Sequence, residues 1–223
     1  MTMQNLLDAQ AGVISRAQAM ASGMSRDAVD HRVSTRRWQP VHPRVYLVAG
    51  RPLDAEARIR AAVLWAGPGA VLTGAAAAWW QGLPARPPAT VTVAVPRRRP
   101  PQPRPGVTVH RRCLPAVDVH EVRGLAVTAP ALTAIDAAVE LGAAGPAFLG
   151  TVTARGVTPA ALRGAYRRGV RTHGLASARR VLQAAADRAA LHAGRALVAA
   201  LQAAGVGGWR IGVRVGGVRV RLG

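Results

Sequence analysis

Residues 6–48 read LLDAQAGVISRAQAMASGMSRDAVDHRVSTRRWQPVHPRVYLV, and the punctuation of this stretch decides how the N-terminal part of the chain folds. Ser15 with Gln18 three residues on is a capping box, in which hydroxyl and amide satisfy two helix-start amides that otherwise lack partners. Gly23 supplies the left-handed residue that stops this helix. Ser25 caps the next helix, and Asp27 is favourably placed in its first turn. A short helix over 6–11 precedes the pair, and an extended hairpin carrying Arg37, Trp38, Arg44 and Tyr46 follows it. Helix, glycine turn, helix and hairpin is the order of a winged helix-turn-helix, in which the second helix of the pair enters the major groove of DNA.

Helical spacing turns Val29 and Val33 inward, with Ala28 beside them. The opposite face then presents Asp27, His31 and Ser34, flanked by Arg26 and Arg32. Asp27 and Asp30 near the groove-facing side repel phosphate, although a carboxylate also accepts a hydrogen bond from cytosine. The expected division of labour therefore puts affinity on Arg36, Arg37 and Arg44 around the wing and base reading on Arg26 and His31. The same fold also serves as a protein-binding platform, which a tight protein partner without DNA affinity would reveal.

The whole chain has 223 residues, enough for one large domain or two smaller ones with a real core. Its 30 basic side chains against 10 acids give a net charge of +20, and every basic residue is arginine. Such an excess favours a polyanionic partner, and arginine grips phosphate and guanine edges bidentately. A chain rich in Ala, Gly, Pro and Arg without lysine also fits a GC-rich genome, so composition alone leaves both explanations open. Only residues 61–80 approach the length of a membrane span, and Gly67-Pro68-Gly69 interrupts them, so no membrane segment is expected. MTMQNLLDAQ lacks the basic segment and apolar run of a secretory signal, and the lone Cys113 suits a reducing compartment; a cytoplasmic protein is expected.

Downstream, helices are predicted over 54–65 and 73–82, a strand over 90–95 and another over 107–111. Between the strands, residues 96–105 hold Arg97, Arg98, Arg99 and Arg104 among prolines, which excludes helix and central strand. This segment either forms a solvated connection or lies along phosphates. A hairpin over 117–128 turns at Arg123-Gly124, and a helix over 128–141 carries Pro130 in its first turn. Further helices are expected over 146–154, 158–166, 177–190 and 191–204, followed by a hairpin turning at Gly216-Gly217. His110, Cys113 and His120 lack a fourth metal ligand nearby, so no metal, cofactor or catalytic group is predicted. There is no Gly-x-Ser-x-Gly nucleophile elbow, and a P-loop is impossible without lysine.

VISRAQAMASGMSRDAVDHRV (13–33) and RRWQPVHPRVYLV (36–48) resemble the N-terminal winged helix of AbiEi-family antitoxins of type IV toxin-antitoxin systems. LTGAAAAWWQGL (72–83), VTVAVPRRRP (91–100) and VRGLAVTAPALTAIDAA (122–138) resemble the rest of that module as actinobacterial proteins carry it. The resemblance implies binding of double-stranded DNA, repression of the protein's own operon, and counteraction of a nucleotidyltransferase toxin without direct contact. SARRVLQAAADRA (177–189), LVAALQAAGVGGWRI (197–211) and VGGVRV (215–220) are similar to the opening of a very-short-patch-repair-like endonuclease domain. That domain needs carboxylates to hold magnesium, and here no acid follows Asp187; His192, Gly194 and Arg221 stand where relatives place acids. The expectation is a truncated, inactive nuclease segment and a protein that is not an enzyme.

The sequence thus predicts an α+β chain: a winged helix-turn-helix over 1–50, a mixed α/β module over 51–170 with a small antiparallel sheet, and a nuclease-like remnant over 171–223 ending in a hairpin. The DNA-contacting residues expected are Arg26, His31, Arg32, Arg36, Arg37, Arg44, Arg97, Arg98 and Arg99. The oligomeric state is not legible.

Overall fold

In the computed structural model, residues 2–96, 104–169 and 175–206 are described, together with the backbone of 214–215 and 218–219. The chain is α+β. It opens with α1 (Met3–Ala9), β1 (Val13–Ser15), α2 (Arg16–Ala21), α3 (Arg26–Ser34), β2 (Trp38–His42) and β3 (Val45–Val48). The three strands form an antiparallel sheet in the order β1-β3-β2. α1 lies three residues before its predicted start, because Thr2 is its cap and accepts from the Asn5 amide at 3.3 Å. It ends early because Ala11 and Gly12 both adopt positive φ, 52° and 78°.

Next comes α4 (Ala55–Ala66), capped by Asp54, whose carboxylate accepts from the Ala57 amide at 2.8 Å. Its apolar residues face two ways. Ala57 and Ala61 pack with Val13, Val45 and Leu47 of the first sheet. Ile59, Ala62 and Val63 pack into the core of a second sheet. Both faces are apolar, so α4 is a shared wall between the two sheets.

The second sheet has five strands, β4 (Val71–Thr73), β5 (Val91–Val95), β6 (Val107–Arg111), β7 (Val119–Val122) and β8 (Leu125–Thr128). Their order is β6-β5-β4-β8-β7, with β5–β6 and β4–β8 parallel and the other pairs antiparallel. β4, which the sequence reading did not anticipate, is the central strand; all three of its residues are buried, so no alternation advertises it. β7 and β8 join at Arg123 and Gly124, both at positive φ, 51° and 74°, as a two-residue type I′ connection requires. Of the three candidate ligands His110, Cys113 and His120, the two histidines are apart: His110 lies on β6 and His120 on β7, opposite edges of the sheet and about 19 Å apart at four strand spacings.

α5 (Gly74–Trp80) and α6 (Pro130–Glu140) cover this sheet, and α7 (Gly145–Ala154), α8 (Pro159–Arg168) and α9 (Leu175–Ala203) build a second core around Leu132, Ile135, Phe148, Leu149 and Leu162. The two helices expected over 177–204 are one helix of 29 residues. No proline interrupts it, and an internal glycine such as Gly194 costs only about 1 kcal/mol against alanine. A final antiparallel pair, β9 (Arg214–Val215) and β10 (Val218–Arg219), brackets Gly216 and Gly217. Arg97, Arg98, Arg99 and the last strand's side chains lie outside the described residues.

Candidate nucleic-acid interface

The α2–α3 corner is held by local side-chain chemistry. Ser15 Oγ accepts from the Gln18 amide at 3.2 Å while Gln18 Oε1 accepts from the Ser15 amide at 3.0 Å, the reciprocal bonds of a capping box. Gln18 also exchanges amide hydrogen bonds with Gln10, at 2.9 and 3.3 Å, which ties α2 to the end of α1. Gly23 sits at φ 94°, and Ser25 Oγ accepts from the Ala28 amide at 3.1 Å to open α3. Val29 is fully buried against Ile14, Ala19, Trp38 and Tyr46. That anchor leaves Arg26, Asp27, Asp30, His31 and Ser34 exposed on the other side of α3.

Sequence reasoning treats Asp30 as a bare repulsive charge, and the structure corrects this. Arg16, the first residue of α2, donates from both terminal nitrogens to the Asp30 carboxylate at 2.6 and 2.7 Å. The hydrogen bond from Arg16 holds the Asp30 carboxyl below its ordinary range, and the Asp30 carboxylate raises the guanidinium. Asp30 therefore meets an approaching phosphate as half of a neutral pair. Nothing local in the sequence links two residues fourteen apart, so Arg16 escaped the candidate set.

Around the wing, Arg36, Arg37 and Arg44 are all exposed. Arg44 forms the tip between β2 and β3 at φ 62°, and its carbonyl accepts from the Arg16 amide at 2.8 Å, which seats the tip against the start of α2. Arg36, at φ 57°, turns the chain out of α3 toward β2. Arg32 is placed differently from its neighbours. Its guanidinium lies 5.5 Å from the Trp38 ring centroid, and Trp38 in turn stacks on Tyr46 at 5.7 Å. Its geometry is that of a cation–π contact of a half-buried arginine on the Trp38 ring. On the rear of the wing, His42 packs on Trp65 of α4 at 5.5 Å; burial and the charge of Arg104 hold its pKa below the ordinary imidazole value.

A second polar cluster lies deeper in the chain. Thr73 Oγ1 donates to Asp136 at 2.6 Å and accepts from Arg112 at 2.9 Å, while Arg112 forks onto the Asp136 carboxylate. Glu140, one turn beyond Asp136 on α6, accepts from the Ala75 amide at 2.8 Å and so caps α5 in place of Thr73, whose hydroxyl is engaged elsewhere. Gly74 sits at φ 65°, and a β-carbon there would run into the Glu140 carboxylate. Burial raises the Glu140 carboxyl above its ordinary value. Beside them Asp118, 2% exposed, receives a fork from Arg168 with bonds of 2.6 to 3.1 Å. Arg112, Asp118, Asp136, Glu140 and Arg168 line a cleft of about 120 Å³ in which each carboxylate already has a donor. Among the described residues no group of three His, Cys, Asp or Glu side chains is placed to hold a metal, and no helix is long and apolar enough to cross a membrane.

Residues 69–155 match the family of AbiEi antitoxin C-terminal domains. The match runs from β4 to the end of α7, so it takes in the whole five-stranded sheet and the Thr73–Arg112–Asp136 cluster, and it supports an AbiEi-type antitoxin module there. The crystal structure of the RV2827C protein from Mycobacterium tuberculosis superposes with a TM-score of 0.52 at 18% identity, over 82% of this chain and 75% of that one, a likeness of fold. Among curated proteins there is no match.

Proposed function

We propose that this chain is an antitoxin-like transcriptional regulator that binds double-stranded DNA through a winged helix-turn-helix over residues 1–50. The observation that carries the reading is the corner between α2 and α3. The capped pair of helices presents Arg26 and His31 outward, Asp30 is neutralised by Arg16, and Arg36, Arg37 and Arg44 stand free beside the groove-reading helix. The net charge of +20 supplies the surrounding field. The AbiEi match over 69–155 favours a toxin-antitoxin context, since the matched family is one of antitoxins and not of enzymes.

In this reading residues 51–170 form the antitoxin module, and the protein represses its own operon within a type IV system. The toxin would be a nucleotidyltransferase that is countered without direct contact. Arg97, Arg98 and Arg99 would add phosphate contacts; Arg104, at the far end of their segment, already acts electrostatically on His42 of the wing. Residues 171–223 would be a nuclease-like segment, in which no acid follows Asp187. Arg32 contributes through Trp38 and holds the wing's base.

A gel shift on the DNA upstream of the gene, against a scrambled duplex of equal length, tests the reading. Preferential retardation of the upstream DNA, lost on Arg26→Ala with His31→Ala, is expected. Equal retardation of both duplexes by wild type and variant would contradict it.

A further inference from the structure

The three C-terminal helices enclose an apolar groove that the DNA-binding reading leaves unused. Leu149 of α7, Leu162 of α8, and Leu182 and Ala186 of α9 form its floor, and it measures about 480 Å³. Arg163, Arg167 and Arg179 stand around the floor, and no acid lines it. Among the described residues none of these three arginines has an ion-pair partner. Asp187 lies just past the groove and accepts from Gln183 at 3.1 Å. Gly150 also lines the groove in the middle of α7, and a β-carbon there would meet nothing within 4 Å. Glycine inside a helix costs about 1 kcal/mol against alanine. Neither a close backbone approach nor a positive φ requires Gly150, so its effect is to keep the groove open.

We infer that this groove is a docking site for an acidic amphipathic helix of a partner protein. The groove follows α9 from Arg179 to Ala189, about 15 Å at the helical rise, which accommodates leucine-type anchors at i, i+4 and i+7. Carboxylates flanking those anchors meet the three arginines, which supplies the charge complementarity that selects the partner. A second copy of this chain does not provide such a helix. All its acids except Asp27, Glu121 and Asp187 are taken by an arginine or a helix-start amide, and these three sit on three different elements. Nucleic acid would engage the arginines but gain nothing from a leucine and alanine floor.

The test uses the full chain and a fluorescein-labelled helical peptide with leucines at i, i+4 and i+7 and glutamates on the flanks, followed by fluorescence anisotropy. The expected result is saturable binding by the glutamate peptide and none by the same peptide with lysine flanks. Arg163→Glu with Arg167→Glu should weaken it about tenfold or more. Gly150→Leu, which plugs the groove while improving the helix, should abolish binding with an unchanged or raised thermal midpoint. Failure of the glutamate peptide to bind, equal binding of the lysine peptide, or indifference to Gly150→Leu would overturn the inference. So would displacement of the peptide by duplex DNA that is itself released by Gly150→Leu, or a dimer in sedimentation that Gly150→Leu dissociates.

Discussion

Arg16 and Asp30 face each other across the α2–α3 corner with two parallel N–H···O bonds of 2.6 and 2.7 Å. The pair ties α3 to the start of α2 and offsets a negative charge on the exposed side of α3. Asp30 is 59% exposed and water screens the pair, so Arg16→Ala should change thermal stability little. It should nevertheless weaken DNA binding several-fold, because Asp30 then repels phosphate unopposed, and Arg16→Ala with Asp30→Asn should recover most of that loss. Because Arg16 holds the Asp30 carboxyl below its ordinary value, the pair's contribution is complete above the usual carboxylate range. It is lost as pH falls through the lowered value. Gel shifts on the single and double variants check the first part; an unchanged affinity for Arg16→Ala would count against it.

His42 sits between the wing and α4 with its pKa held down by burial and by Arg104. A lowered folded-state value means that the unfolded chain binds more protons in the window between that value and the ordinary 6.5. Stability therefore rises with pH across this window and falls on acidification. Thermal midpoints recorded between neutral pH and pH 5 should decline for the wild type, and His42→Phe should flatten the decline.

Gly74 combines positive φ with immediate contact against the Glu140 carboxylate. Gly74→Ala should cost about 2–3 kcal/mol, from about 1–2 for the left-handed backbone and about 1 for the displaced cap of α5. Adding Glu140→Ala removes the collision but also the acceptor for the Ala75 amide, so the double variant should be less destabilised than the sum of the singles. Urea unfolding of the four proteins measures this coupling.

Arg112 and Asp136 are 11% and 19% exposed at their side chains and share Thr73. Asp136→Ala should cost about 3 kcal/mol or more, since it strands a guanidinium away from water. Arg112→Met with Asp136→Leu should cost much less, because it removes both charges. Equal destabilisation of the single and double variants in urea would refute this account of the cluster.

Much of the N-terminal unit was legible because its signals are local. The Ser15–Gln18 box, the Gly23 stop and the Ser25 cap each depend on side chains and backbone within a few residues, and the Arg123-Gly124 turn of the second sheet was legible for the same reason. What stayed hidden depends on contacts between distant segments. β4 is too short and too buried to show a period, and the parallel pairing of β5 with β6 spans a proline-rich connection that carries no pairing signal. Thr73, Arg112 and Asp136 meet from three separate elements. Arg32 and Arg36 look alike in sequence, yet only the fold shows that one packs on Trp38 while the other is exposed. Helix α9 shows the reverse error: an expected break between Ala190 and Leu191 has no residue that would cause one.

The central claim, that the wing arginines bind the DNA backbone, is tested most directly by the salt dependence of affinity for the upstream duplex. Each phosphate contact releases condensed counterions, so log K falls linearly with log salt by about 0.9 per contact. Arg37→Ala with Arg44→Ala should weaken binding and make that slope shallower by about two. Binding with the same affinity and the same slope in wild type and variant would contradict the account.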